Sequence, residues 1–139
     1  MVKEIWLNLP VKDVNKSKEF FTKIGFSLNV ERCGGDEMAC VQAGENKSSV
    51  VIIAEDTFKD VAKNDLTDTR ESTEILISFD AESREEVDET ARKVFEAGGN
   101  IFSEPAEIQG WMYGFGFADL DGHRWNQLYM DMSKMPKGK

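Results

Sequence analysis

The groups able to do chemistry are concentrated in one stretch, Gly110 to Asp131. It carries two of the three Trp, both Tyr, two of the nine Phe and the single His of the chain, His123. Its two aromatic-rich runs flank Asp119-Leu120-Asp121-Gly122, a spacing that predicts a β-hairpin, because Asp accepts hydrogen bonds from its own turn and Gly tolerates positive φ. Such a set offers stacking and cation–π attraction, imidazole chemistry at His123, or plain core packing. His123 follows Gly122 in the turn, and ligation there would need partner ligands, so a turn or surface role is expected. Cys33 and Cys40 match no structural zinc spacing, and Cys40 alternates with Met38 and Gln42 along a strand, which favours packing. Without an apolar leader segment the two cysteines are expected as free thiols. No Gly-rich phosphate loop opens a helix. Gly114 and Gly116 interleave with Tyr113, Phe115 and Phe117 and mark places of close backbone approach. No Ser or Cys stands in a spacing to His123 that argues for an activated nucleophile.

The elements that must position these groups fit in one domain. A chain of 139 residues, 40% hydrophobic and 31% charged, is enough for a single core. Its net charge of −9 repels phosphate backbones and anionic surfaces, which argues against nucleic acid and membranes as partners. The same acidity favours a cationic or neutral ligand, and it is also a common solubility device. No segment approaches the length of a membrane span, so a cytoplasmic protein is expected.

Ile5 to Val11 alternates cleanly, with Ile5, Leu7, Leu9 and Val11 on one face. Asp13 can cap a helix from Val14 to Ile24, stopped by Gly25, whose Val14, Ser17, Phe20, Phe21 and Ile24 form a core-facing stripe. Strands follow at Ser27 to Arg32, Glu37 to Ala43 and Ser48 to Ala54, with turns at Gly34-Gly35-Asp36 and Gly44-Glu45-Asn46-Lys47. Residues 55 to 73 read as a polar linker with one short helix around Phe58 to Ala62. The programme then restarts. Glu74 to Phe79 is a strand, and Ser83-Arg84-Glu85-Glu86 is a capping box for a helix that buries Val87, Ala91, Val94 and Phe95 and stops at Gly98-Gly99. Asn100 to Ile108, interrupted by Pro105, is an edge or bulged strand leading into the hairpin. Strand, cap, helix, glycine stop and three-stranded meander therefore occur twice. The fold class is α+β, with two βαβββ modules at about 3–55 and 74–131, a linker at about 56–73 and a frayed tail at 132–139, all within one domain 1–139.

Several motifs in order carry a family likeness: Asn8-Leu9-Pro10-Val11-Lys12-Asp13, then Ser17, Phe20-Phe21 and Ile24-Gly25-Phe26, then Trp111-Met112-Tyr113-Gly114 and Asp119-Leu120-Asp121-Gly122-His123-Arg124-Trp125. This chain resembles, from Ile5 to Asp131, the vicinal oxygen chelate superfamily, which includes glyoxalase I, bleomycin and fosfomycin resistance proteins and extradiol dioxygenases. The resemblance implies two curved half-cups enclosing a pocket, often in a homodimer, and in the enzymes a divalent metal held by His, Glu or Gln. Carried over singly, the first-strand ligand position falls on Trp6, or on Asn8 in a register two residues later. The ligand opening the second module falls near Glu74, and the late Glu falls on Asn126. Ser49-Val50-Val51-Ile52-Ile53 offers no acid near the end of the first module, and Phe115 stands where related members often carry Arg.

The reading that follows is a metal-free small-molecule-binding protein, homodimeric, whose cup is lined from Trp6, Asn8, Met38, Glu74, Leu76, Trp111, Tyr113, Phe115 and Asn126. Aromatic faces and Glu74 would favour a cationic or amphiphilic ligand. No cofactor is expected. Inward and outward residues on the last hairpin depend on one register, since a single bulge exchanges them. The alternative is a metal-dependent lyase, isomerase or dioxygenase of the glyoxalase class that uses Glu74 and His123; separately, Glu74 at the mouth of the cup is a general-base candidate, its carboxyl raised by desolvation.

Overall fold

Two polar caps and two glycine stops, repeated in order, divide the chain into a pair of similar units. The computed structural model describes residues 1–43 and 48–136, and groups them into compact units Met1–Ser72 and Thr73–Lys139. The turn expected at Gly44-Glu45-Asn46-Lys47 lies outside the described residues, as does the end of the tail beyond Pro136.

The first unit runs β1 (Leu7–Val11), α1 (Val14–Lys23), β2 (Ser27–Leu28), β3 (Met38–Ala43), β4 (Ser48–Ala54) and α2 (Glu55–Ala62). Its sheet has the order β1-β4-β3-β2, with β1 parallel to β4 and the other pairs antiparallel. The second unit runs β5 (Leu76–Ala81), α3 (Arg84–Glu96), β6 (Asn100–Ile108), β7 (Met112–Ala118) and β8 (Arg124–Met130), with a 3-10 turn at Met132–Lys134. Its order is β5-β8-β7-β6, and β5 is parallel to β8. The doubled βαβββ pattern is thus observed.

Both long helices are built alike. Asp13 accepts the Lys16 N–H at 3.0 Å, and Ser83 accepts that of Glu86 at 3.1 Å. At the other end, Phe26 N–H donates to Phe21 O and Gly25 N–H to Thr22 O, while Gly99 and Gly98 donate in the same way to Val94 and Phe95. These are paired Schellman closures, and they require φ of +116° at Gly25 and +94° at Gly98. The α1 stripe of Val14, Ser17, Phe20, Phe21 and Ile24 is buried as its spacing implies. On α3, Val87, Ala91 and Val94 are buried, but Phe95 is 74% exposed and Thr90 takes the expected core place. Thr90 can be buried because its hydroxyl donates to Glu86 O at 2.9 Å.

Several boundaries differ from the sequence pattern, among them the strand expected at Glu74 to Phe79, which runs Leu76–Ala81. β1 begins at Leu7, leaving Ile5 85% exposed. β2 ends at Leu28 because Asn29 turns the chain: its side-chain oxygen accepts from Arg32 N–H at 3.0 Å and its carbonyl from Cys33 N–H at 3.2 Å. The linker opens with a full helix, since Glu55 and Asp56 suit its N-terminal dipole and Phe58 packs against the sheet. The cysteines are not free thiols. Cys33 and Cys40 form a disulfide, with Cα atoms 5.5 Å apart, because the turn at Asn29 brings the loop back over β3.

The hairpin between β7 and β8 is held by one carboxylate. Asp119 is 6% exposed; its Oδ1 accepts the N–H groups of Asp121 and His123, each at 3.0 Å, and its Oδ2 accepts Trp125 Nε1–H at 3.0 Å. Burial pushes this carboxyl above the usual aspartate range, against the opposing pull of His123 and the Trp125 hydrogen bond. A group that holds its proton to higher pH in the folded state contributes most below the ordinary range, and its contribution is lost as pH rises through the raised value. Asp119→Asn leaves an NH2 facing an N–H and should cost about 1–3 kcal/mol. Thermal melts from acid to neutral pH should also show the wild type losing stability through that window and the variant losing less; parallel curves would contradict the assignment.

Candidate functional site

Residue alternation decides which side chains of the second sheet stand together. Tyr113 Oη donates to Asp88 of α3 at 2.7 Å, and the Arg84 guanidinium lies 5.1 Å above the Tyr113 ring while pairing with Glu107. The Asp88 hydrogen bond, aided by burial, pushes the Tyr113 hydroxyl above its usual range. Tyr113 therefore marks the α3 face of β7, and Phe115 and Phe117 share it. There Phe115 stacks on Phe117 at 5.4 Å, Phe117 on Trp125 at 6.3 Å, and Phe79 meets both Phe117 and Trp125 edge-on at 6.2 Å. This aromatic cluster is the core beneath α3. Tyr113 and Phe115, expected as ligand-lining residues, belong to it and not to the opposite face.

The face away from α3 is assembled from alternate positions. Register pairs Leu76 with Arg124, Ser78 with Asn126 and Asp80 with Leu128 across the parallel strands. Ser78 Oγ donates to Asn126 Oδ1. On β7 this face has no side chains at positions 114 and 116. A Cβ on Gly116 would lie 2.5 Å from Cε1 of Phe102, and one on Gly114 would lie 2.6 Å from Cδ2 of Leu128 and closer still to the Gln127 carbonyl oxygen. The bare strand thus accepts the Phe102 ring from β6, and the Arg124 guanidinium lies 4.2 Å above that ring. Arg124 has no carboxylate partner among the described residues. Leu76 and Phe102 are exposed, and Asn126, Leu128 and Arg124 are half-buried. The result is an open apolar ledge with one cation, one carboxamide and one hydroxyl, and with the exposed Asp80 carboxylate beside Leu128 at its far end.

Of the residues singled out in the sequence, Leu76 and Asn126 share this ledge. Glu74 is exposed and precedes β5. Trp111 sits in the turn before β7, half-buried, with a buried indole N–H that has no partner among the described residues. In the first unit, Asn8 and Met38 pair with Val51 and Ile53 and share their face, where Cys33 and Phe58 pack on the cluster of Cys40, Val51 and Ile53. Trp6 lies 5.0 Å beneath the Arg32 guanidinium, which also pairs with Glu4. Sequence reasoning missed Phe102, Arg124, Ser78 and Leu128. Arg124 and Leu128 were available by alternation from Asn126; Phe102 was not, because β6 carries two register shifts between Ile101 and Ala106.

A divalent metal of the kind the resemblance implies finds a poor donor set. The corresponding positions hold the Trp6 indole, the Asn126 amide already engaged by Ser78, and a single carboxylate at Glu74. Among the described residues, no group of three or more His, Cys, Asp or Glu is placed to hold an ion. These residues do not fit hard-cation ligation, which draws on several carboxylate or imidazole donors.

The sequence profile of the Glyoxalase/Bleomycin resistance protein/Dioxygenase superfamily matches residues 5–126. Among solved structures, the hypothetical protein SA1046 from S. aureus is similar at 37% identity and TM-score 0.82, covering 93% of this chain and 95% of that one. A glyoxalase/bleomycin resistance protein/dioxygenase family enzyme from Burkholderia phytofirmans PsJN shares the fold at 18% identity and TM-score 0.77, over 90% of this chain and 96% of that one. So does the fosfomycin resistance protein FosX from Listeria monocytogenes, at 22% identity and TM-score 0.66, over 93% and 94%. No curated protein matches significantly.

The two bare positions on β7 should respond differently to a methyl group. Gly114→Ala meets a backbone oxygen that cannot move aside and should cost about 1–3 kcal/mol in chemical denaturation. Gly116→Ala meets only the far end of the Phe102 side chain, and its cost should be under half of that. Equal costs would contradict the seating of Phe102.

Proposed function

The chain belongs to the glyoxalase/bleomycin resistance protein/dioxygenase superfamily, and from that membership we propose that it binds an amphiphilic small molecule on the ledge of the second unit without a metal ion. The observation that carries this reading is Arg124, laid over Phe102 and lacking a carboxylate partner among the described residues. A flat apolar body would extend the Phe102–Arg124 stack and rest on Leu76 and Leu128. An acidic or carbonyl group on the same molecule would accept from the guanidinium, which presents its donors in a planar fork. Asn126 and Ser78, bonded to each other, retain capacity for a further polar contact. The ledge thus favours an anionic head group, where the aromatic faces, Glu74 and the net charge of −9 pointed to a cationic one.

The same reading has the chain acting as a homodimer. Support comes from β1 and β5, each the edge strand of its sheet, with exposed Ile5 and Leu7 on or beside the first and exposed Ile75 and Leu76 on or beside the second. Sedimentation at micromolar concentration should give twice the chain mass; a monomer would remove this part.

A pair of probes with one apolar body and opposite charge tests the ligand class. Naphthoate should bind more tightly than naphthylmethylammonium, and Arg124→Gln should weaken naphthoate about tenfold or more, since a hydrogen bond to a charged group is worth roughly 1.5–3 kcal/mol. Equal binding of the two probes, or none, would remove the assignment. Titration of untagged protein with Ni, Zn or Fe separates the enzyme alternative: near-stoichiometric uptake would replace the metal-free reading.

A further inference from the structure

In the first unit, one covalent bond accounts for the seating of the segment between β2 and β3. From Val30 to Glu37 every residue except Cys33 is exposed, and Val30, the apolar residue best suited to anchor the segment, is 72% exposed. Between its ends the remaining ties are peripheral: Lys18 Nζ donates to Gly35 O at 2.8 Å, Thr57 Oγ1 donates to Glu37 Oε2 at 2.9 Å, and Arg32 pairs with Glu4 and covers Trp6, while Glu37 O at the far end accepts the Ala54 N–H of β4 at 2.9 Å. Exposed pairs of this kind hold a segment weakly. Cys33, by contrast, packs with Met38 and Phe58 on the face formed by Cys40, Val51 and Ile53, and Cys40 is fully buried at 0% exposure. Gly34-Gly35 follow directly, and the space where a Cβ on Gly35 would stand is open, with nothing within 4 Å.

We infer that Cys33 and Cys40 are a redox latch, open to dithiol reductants, whose oxidised form holds residues 30–37 over the Cys40–Val51–Ile53 face of the first sheet and whose reduced form releases them. The two sulfurs differ in access: Cys33 is half-buried on the surface segment, and Cys40 is sealed within the sheet face. A dithiol reductant therefore attacks through its thiolate at Cys33 Sγ, forming a mixed disulfide there and expelling the Cys40 sulfur, which takes up a proton. The reductant's second thiolate then displaces Cys33 and closes the reductant's own disulfide. Two electrons and two protons pass to the cysteine pair, and the reductant dithiol becomes its disulfide. With the bond open, only the Asn29 turn and the exposed pairs oppose opening of the segment, so the Arg32 and Cys33 N–H groups leave Asn29 more often, and Phe58 of α2 becomes the main cover of the cluster.

Peptide-resolved hydrogen exchange tests the latch on the full chain in three forms: as oxidised with glutathione disulfide, after dithiothreitol, and as Cys33→Ser. Amides of residues 30–37 should exchange at least tenfold faster in the reduced wild type and in Cys33→Ser, with α1 and β1 unchanged, and reoxidation should restore protection. Unchanged exchange in 30–37 on reduction would overturn the proposal. So would acceleration throughout the first unit, which would make the bond a structural staple, or a thiol titration showing two cysteines that do not pair under glutathione disulfide. Because the wild type reports on reduction by itself, a misfolded Cys33→Ser would not obscure the outcome.

Discussion

The buried Asp119 carboxylate sets the phase of the last two strands. By accepting two backbone N–H groups of its own turn and the indole N–H of Trp125, it fixes Ala118 opposite Arg124 and hence every pair behind them. Side chains in a strand alternate, so a slip of β8 by one residue would send Trp125 into solvent, leave Phe117 without its stacking partner and turn Arg124 and Asn126 towards α3. An exposed Asp could not impose this choice. A desolvated acceptor can, because leaving it or the indole unpaired in the interior costs more than any alternative pairing would return. The partition of this half into an aromatic core and an open polar ledge therefore rests on a single turn.

The two halves share an order of elements and use it differently. In the first, the sheet face carrying Cys40 is covered by Cys33 and by Phe58 of a helix with no counterpart in the second half. In the second, the equivalent strands leave Leu76, Ser78, Arg124 and Asn126 open, over a β7 stripped to glycine where Phe102 crosses it. The βαβββ topology is therefore present twice, while on our reading one copy alone offers a binding surface. Duplicated topology sets where side chains can project; it does not require both copies to project the same kind.

The repeat, the helix caps and stops, the α1 stripe and the edge character of β6 were legible in the sequence because each depends on neighbours within a few residues. Asp13, Ser83, Gly25 and Gly98 act locally. The ledge was legible only in part. Asn126 was placed by the resemblance and Leu76 by the strand it stands on, but the phase of β7 against α3 is set by Tyr113 meeting Asp88, and Phe102 is aimed by irregular pairing around Pro105. The disulfide was hidden for a similar reason: the Asn29 turn that brings Cys33 back to Cys40 shortens what alternation alone extends into a six-residue strand. Phe95 shows the limit of a helical stripe, since a hydroxyl that bonds back to its own helix can take the buried place and leave a ring outside.

The parallel pairs carry a consequence for how the molecule comes into being. In each half the strand made first, β1 or β5, finds its hydrogen-bonded neighbour only in the strand made last, Leu7 against Val50 and Leu76 against Arg124. During synthesis, each opening strand must wait beside its helix until the closing one emerges, and neither sheet has its final edge before then. A nascent chain halted before β8 would leave Leu76 to Ala81 with free backbone groups, ready to recruit any extended segment in reach.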